Sequence, residues 1–192
     1  MKLRIDPGAA VLGALVYFFS DWKEITAAAV PIAVHELGHL AAIKAEGMDI
    51  RSLRAGLNGF CISYSGSRNT AEDIIAAAAG PATGIIYALI ASWMSNRAGN
   101  QWFAQSAGIS WILSLFNLLP INPLDGGRIL RGISALFFGS EKGESAAAVI
   151  STAGAAIIFA CGLWLLSRQH GIAVCIAGAW LILYQINDPP CS

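Results

Sequence analysis

The stretch that decides the fold is Ile25–Ala45, ITAAAVPIAVHELGHLAAIKA. It is apolar and has the length of a membrane-crossing helix, which needs about 17–25 residues. Pro31 and the cluster His35, Glu36 and His39 interrupt it. Ionisable groups at that depth are expensive, so when they occur they usually serve a function. The rest of the chain suits a bilayer. Of its 192 residues, 56% are hydrophobic and only 12% are charged, against about 25% charged in soluble domains. Such a composition excludes disorder, which needs low hydrophobicity and high charge, and argues against a soluble enzyme. The net charge of +0 gives no electrostatic case for a nucleic-acid partner.

Working outward, further apolar stretches run over 8–19, 74–94, 102–119, 146–166 and 172–186. With Ile25–Ala45 they predict an all-α polytopic membrane protein of about six transmembrane helices, the first starting near Ile5. No cleavable signal peptide is expected, because no small-residue cleavage site follows the first stretch. Between the second and third spans, Ile50–Leu57 and Gly59–Ser65 alternate as strands around Asn58-Gly59. This predicts a small membrane-associated β-hairpin. Six spans put both termini on one side. Nine basic residues, among them Lys44, Arg51, Arg54 and Arg128, then face that side, against Lys23, Arg97 and Arg168 on the other. By the positive-inside rule both termini are expected to be cytoplasmic, in what is read as a bacterial cytoplasmic membrane. Trp22, Trp93, Trp102 and Trp164 fall near span ends, as an interfacial belt would.

His35-Glu36-Leu37-Gly38-His39 has the pattern H-E-x-x-H. On a helix, positions i and i+4 share a face, so both imidazoles can reach one zinc ion. Glu36 can lean over the metal's water as a general base. A polar patch that merely pairs two helices is the bland alternative. Catalytic zinc takes three protein ligands and leaves one position open. His170, beside Arg168, reads as a solvated loop residue. Asp125 remains, in Asn117-Leu118-Leu119-Pro120-Ile121-Asn122-Pro123-Leu124-Asp125-Gly126-Gly127-Arg128. Prolines break the helix before it, and two glycines allow close backbone approach after it. Spacing alone leaves Asp125 equally a ligand or a turn with a helix N-cap.

HELGH together with FNLLPINPLDGGR resembles the site-2 protease family, the intramembrane zinc metalloproteases of peptidase family M50. Ala79-Gly80-Pro81 is similar to an A-G-P of the family's third span. The resemblance implies that His35, His39 and Asp125 ligate Zn2+, that Glu36 is the catalytic base, and that Asn117 contacts substrate or transition state. It implies one intramembrane protease domain over 1–192, with a catalytic core near 5–140 and additional spans over 146–186. Leu3-Arg4-Ile5-Asp6-Pro7 is similar to the start of the sporulation branch, which processes a pro-sigma factor. No CBS-type or PDZ-sized domain is expected within the chain, which departs from that branch. The implied partners are the lipid bilayer, a transmembrane or membrane-associated protein substrate, paired as a strand on the hairpin edge, and a regulatory membrane protein. A metal-transporting or metal-binding membrane protein using the same residues is the alternative, and an inactive scaffold a weaker one.

Overall fold

The computed structural model describes residues 2–5, 21–56, 59–65 and 69–187. The chain divides into two compact units, Met1–Phe116 and Asn117–Pro190. In the first, strand β1 (Lys2–Ile5) is followed by helix α1 (Trp22–Ala45), strands β2 (Asp49–Gly56) and β3 (Gly59–Ser65), and helices α2 (Thr70–Ala98) and α3 (Gln101–Asn117). The second holds α4 (Asp125–Phe138), α5 (Ser140–Ser167) and α6 (Ile172–Asn187).

The expected helical membrane class fits, but the expected fold is corrected on two counts. The hairpin does not stand alone in an otherwise all-α chain. β1 pairs parallel to β2, Lys2 opposite Ser52 and Ile5 opposite Ala55, while β2 pairs antiparallel to β3. The result is a three-stranded sheet in the order β1-β2-β3. β2 is therefore central and offers no free edge, and Ile5 lies in a strand rather than at the start of a span. Nor do all the expected spans within the described residues reach spanning length. Among the described residues, three helices are long and apolar enough to cross a membrane: α1, α2 and α5. The stretch expected over 102–119 stops being helical at Asn117, giving 17 residues. At 1.5 Å per residue that is about 25 Å, short of a hydrocarbon core of about 30 Å. α6 is shorter still, at 16 residues. The expected first span and the Leu57-Asn58 turn lie outside the described residues.

α1 and α2 pack through small residues. Ala27, Pro31 and Gly38 on α1, and Ala76, Ala77, Gly80, Pro81, Gly84, Ala88 and Ala91 on α2, are all buried. Between apolar helices in lipid, close van der Waals packing and side-chain hydrogen bonds hold the pair. Gly38 marks the close approach, since a Cβ there would overlap the Thr83 hydroxyl and sit 2.7 Å from the Ala79 carbonyl. The Thr83 hydroxyl lies 2.9 Å from the Gly80 carbonyl and 3.3 Å from that of Val34, bridging the two helices. α3 joins α2 through hydroxyls four residues apart. Ser106 is 2.6 Å from the Tyr87 hydroxyl, Ser110 donates to the Gly84 carbonyl at 2.8 Å, and Ser114 lies buried against Gly84.

α1 ends in a two-bond cap. Met48 N–H donates to the Ile43 carbonyl and Gly47 N–H to that of Lys44, the pattern of a Schellman motif. Ile43, Met48 and Ala76 close over it as an apolar cluster. The cap sets where the chain leaves α1 for β2, and it needs a left-handed residue, which Gly47 supplies at φ 72°. Replacing Gly47 with Val puts a β-branched side chain in that region, a strain of about 1–3 kcal/mol. Thermal or denaturant unfolding in detergent micelles is expected to show Gly47→Val less stable by this margin, with the starting helical content unchanged.

Candidate metal centre

The stripe of α1 that faces α2 carries Ala27, Pro31, His35, Gly38, His39 and Ile43, while Leu37 points the other way and is exposed. Residues four apart share a helix face, so both histidines of HELGH enter the helix interface together. Their exposures are 4% and 5%. The two Nε2 atoms approach to 3.2 Å and the rings meet edge to face, 81° apart.

The His39 ring is fixed from behind. Its Nδ1 lies 2.7 Å from the Ala76 carbonyl on α2. A carbonyl only accepts, so Nδ1 carries a proton, and in the neutral ring Nε2 is left with its lone pair. This is how a metal-ligating histidine is usually oriented by its surroundings. Gly80, one turn further along α2, provides the room, because a Cβ there would overlap the His39 ring. The His35 ring lies against Gly84, whose added Cβ would stand 3.7 Å from Nδ1. Glu36 follows His35 on the same turn and is half-buried.

The donor set fits zinc. Two nitrogens bound at about 2.0–2.1 Å to one tetrahedral ion lie about 3.3 Å apart. The observed Nε2–Nε2 spacing of 3.2 Å matches that, and the Ala76 bond presents His39 in the binding tautomer.

Asp125 stands in the second unit, 9% exposed, as the first residue of α4. The N-cap of that helix is Leu124. Asp125 is therefore not the cap that spacing alone allowed; it occupies the first turn, where the helix dipole favours an anion. Arg128 Nη1 is 3.9 Å from its carboxylate. Gly126 and Gly127 let α4 begin against the preceding loop. A Cβ at Gly126 would overlap the carbonyls of Leu118 and Leu119, and one at Gly127 would sit 2.6 Å from Asn122 N. Asn117 ends α3 and is half-buried. His170 is exposed in the turn after α5, as a loop residue should be.

Two contributors escaped sequence reasoning. The Ala76 carbonyl is backbone and leaves no side-chain signal. Gly80 reads as a generic small residue for helix packing, although the A-G-P similarity marks its place.

Residues 97–161 match the model of Peptidase family M50. The chain is 29% identical over 178 residues to the "Putative zinc metalloprotease Rip3" of Mycobacterium tuberculosis, covering 88% of this chain and 44% of that protein. It is 29% identical over 140 residues to a zinc metalloprotease of Methanocaldococcus jannaschii, covering 70% of this chain and 41% of the relative. The chain thus spans less than half the length of these curated relatives. Among solved structures it is similar in fold to a site-2 protease from Methanocaldococcus jannaschii, with a TM-score of 0.72 and 22% identity over 96% of this chain and 88% of the other. The family model and the relatives support the M50 resemblance; they give no support to the sporulation branch in particular.

Substitution of Gly80 by Ala forces the His39 ring away from Ala76. Zinc titration of purified protein against a competing chelator is expected to show affinity lowered about 10- to 100-fold, the usual cost of disturbing a ligand's supporting contacts. Circular dichroism should show the helical content retained.

Proposed function

We propose that this chain is the core of an intramembrane zinc endopeptidase, and that it hydrolyses peptide bonds in a membrane-spanning or membrane-associated protein. The observation that carries the reading is the convergence of His35 and His39 Nε2 at 3.2 Å, with His39 locked by Ala76. That pair sits on a helix long and apolar enough to cross a bilayer. The relatives' names supply the metal and the reaction class.

In this reading Asp125 is the third ligand. Its burial in a first helical turn and the close-packed glycines behind it support a fixed carboxylate. When bound, zinc polarises the scissile carbonyl and lowers the pKa of a coordinated water towards about 7. Glu36 accepts the proton of the attacking water and returns it to the leaving amine. Asn117 donates a hydrogen bond to the oxygen that gains charge during attack. Burial of His35 and His39 in the helix interface lowers the local dielectric, which strengthens electrostatic contacts made there. Substrate must reach the site unwound, because carbonyls inside a helix are already hydrogen-bonded and shielded. We place the water-accessible side of the site towards the cytoplasm, on the distribution of Lys and Arg. A pro-sigma-type protein, suggested by the opening Leu3–Pro7, is one substrate class to test.

Co-expression with tagged single-span and pro-sigma-type substrates tests the reading. Glu36→Gln is expected to abolish cleavage while zinc content stays at the native level. Asp125→Ala should lose both. Cleavage by Glu36→Gln at the native rate would contradict the mechanism, and zinc retained by Asp125→Ala would remove that residue from the ligand set.

A further inference from the structure

The loop that carries Asp125 is gripped by the last two helices. Asn122, three residues before the carboxylate, is held through both of its backbone polar groups. Its N–H donates to Ser151 Oγ of α5 at 2.8 Å. Its carbonyl accepts from Gln185 Nε2 of α6 at 3.4 Å. Gln185 is itself oriented within the helix pair. Its Oε1 accepts from the Thr152 hydroxyl at 2.9 Å, and its Nε2 also lies 3.4 Å from the Ser151 carbonyl. From α4, Arg131 Nη2 reaches Asn122 Oδ1 at 3.5 Å. Packing completes the grip. Ile121 is 2% exposed and lies in the space left by Gly154 on α5, where a Cβ would come within 2.9 Å of its side chain.

These contacts are not what helix pairing alone requires. Ser151 and Gln185 are polar residues on apolar helices, where such side chains hydrogen-bond to neighbouring segments. Here they reach the non-helical backbone between Pro120 and Leu124 and supply partners for its polar groups. Each end of that segment is then pinned: Asn122 by α5 and α6, and Gly126 and Gly127 by close contact with the backbone before them. Asp125 lies between the pins.

We infer that Ser151 and Gln185 are positioning residues that hold the Asn122–Asp125 loop at the geometry its carboxylate needs to bind zinc. α5 and α6 thereby belong to the support of the metal site instead of only completing the bundle. The inference rests on Asp125 being a zinc ligand. It assigns a role to helices in which the sequence shows no catalytic candidate.

The test uses the full 192-residue chain purified in detergent. Ser151→Ala deletes one hydroxyl, and Gln185→Met keeps side-chain length without its hydrogen bonds, so both are mild enough to fold. Two quantities are read in each variant and in Asp125→Ala. One is amide hydrogen exchange across 119–127 in the metal-free protein. The other is zinc affinity by competition with a chelator. Both positioning variants are expected to speed exchange at Asn122 and to weaken zinc binding about 10-fold or more, the usual size of an outer-shell loss. Melting temperature and helical content should remain near the native values. Unchanged exchange would overturn the grip itself. Faster exchange with native zinc affinity, in a protein whose Asp125→Ala form loses zinc, would overturn the positioning role. Native zinc affinity in Asp125→Ala would instead refute the ligand assignment on which the inference stands.

Discussion

The bond from His39 Nδ1 to the Ala76 carbonyl, 2.7 Å long, ties a candidate ligand on one apolar helix to the backbone of the next. The helices must come very close for an imidazole to reach a carbonyl whose first lone pair serves its own helix. Gly38 on α1 and Gly80 on α2 provide that closeness, one against Thr83 and Ala79, the other against the His39 ring itself. Lipid gives little hydrophobic drive to this pairing, so the small residues and the hydroxyl bridge from Thr83 must carry it. A larger residue at either glycine would separate the helices and release the ring. The tautomer, the ring angle and the Nε2 spacing all follow from this one approach.

The second unit solves a related problem with different means. There the Asp125 carboxylate follows a non-helical loop, whose backbone polar groups need partners where they are withdrawn from water. Prolines end the helical run, glycines let α4 start against the preceding carbonyls, and Ser151 and Gln185 satisfy the backbone between them. The polar groups of Ser151 and Gln185 on the apolar C-terminal helices thus satisfy the backbone of an irregular loop.

How much of this was legible in the sequence depends on the range of the interaction involved. HELGH is local: its helical spacing alone puts two imidazoles on one face, and the fold keeps them there. Asp125 was legible as a candidate only through the surrounding Pro and Gly pattern, and the structure removes the N-cap reading by assigning the cap to Leu124. The strand β1 was not legible. Lys2–Ile5 is too short to announce itself, and its partner lies some fifty residues away at Ser52–Ala55. Among the described residues fewer helices reach spanning length than the hydropathy suggested, because hydropathy does not say where a helix stops. The stretch after Trp102 stays apolar past Asn117 while its backbone turns away. Gly80 and the Ala76 carbonyl were hidden because sequence does not give the register of one helix against another.

X-ray absorption at the zinc edge of the purified 192-residue chain tests the central claim most directly. It reads the ligands without relying on a substrate. The account predicts one zinc per chain with a first shell of nitrogen and oxygen at about 2.0–2.1 Å, including the scattering signature of two imidazoles. A first shell containing sulfur, a single imidazole, or no stoichiometric zinc would contradict it.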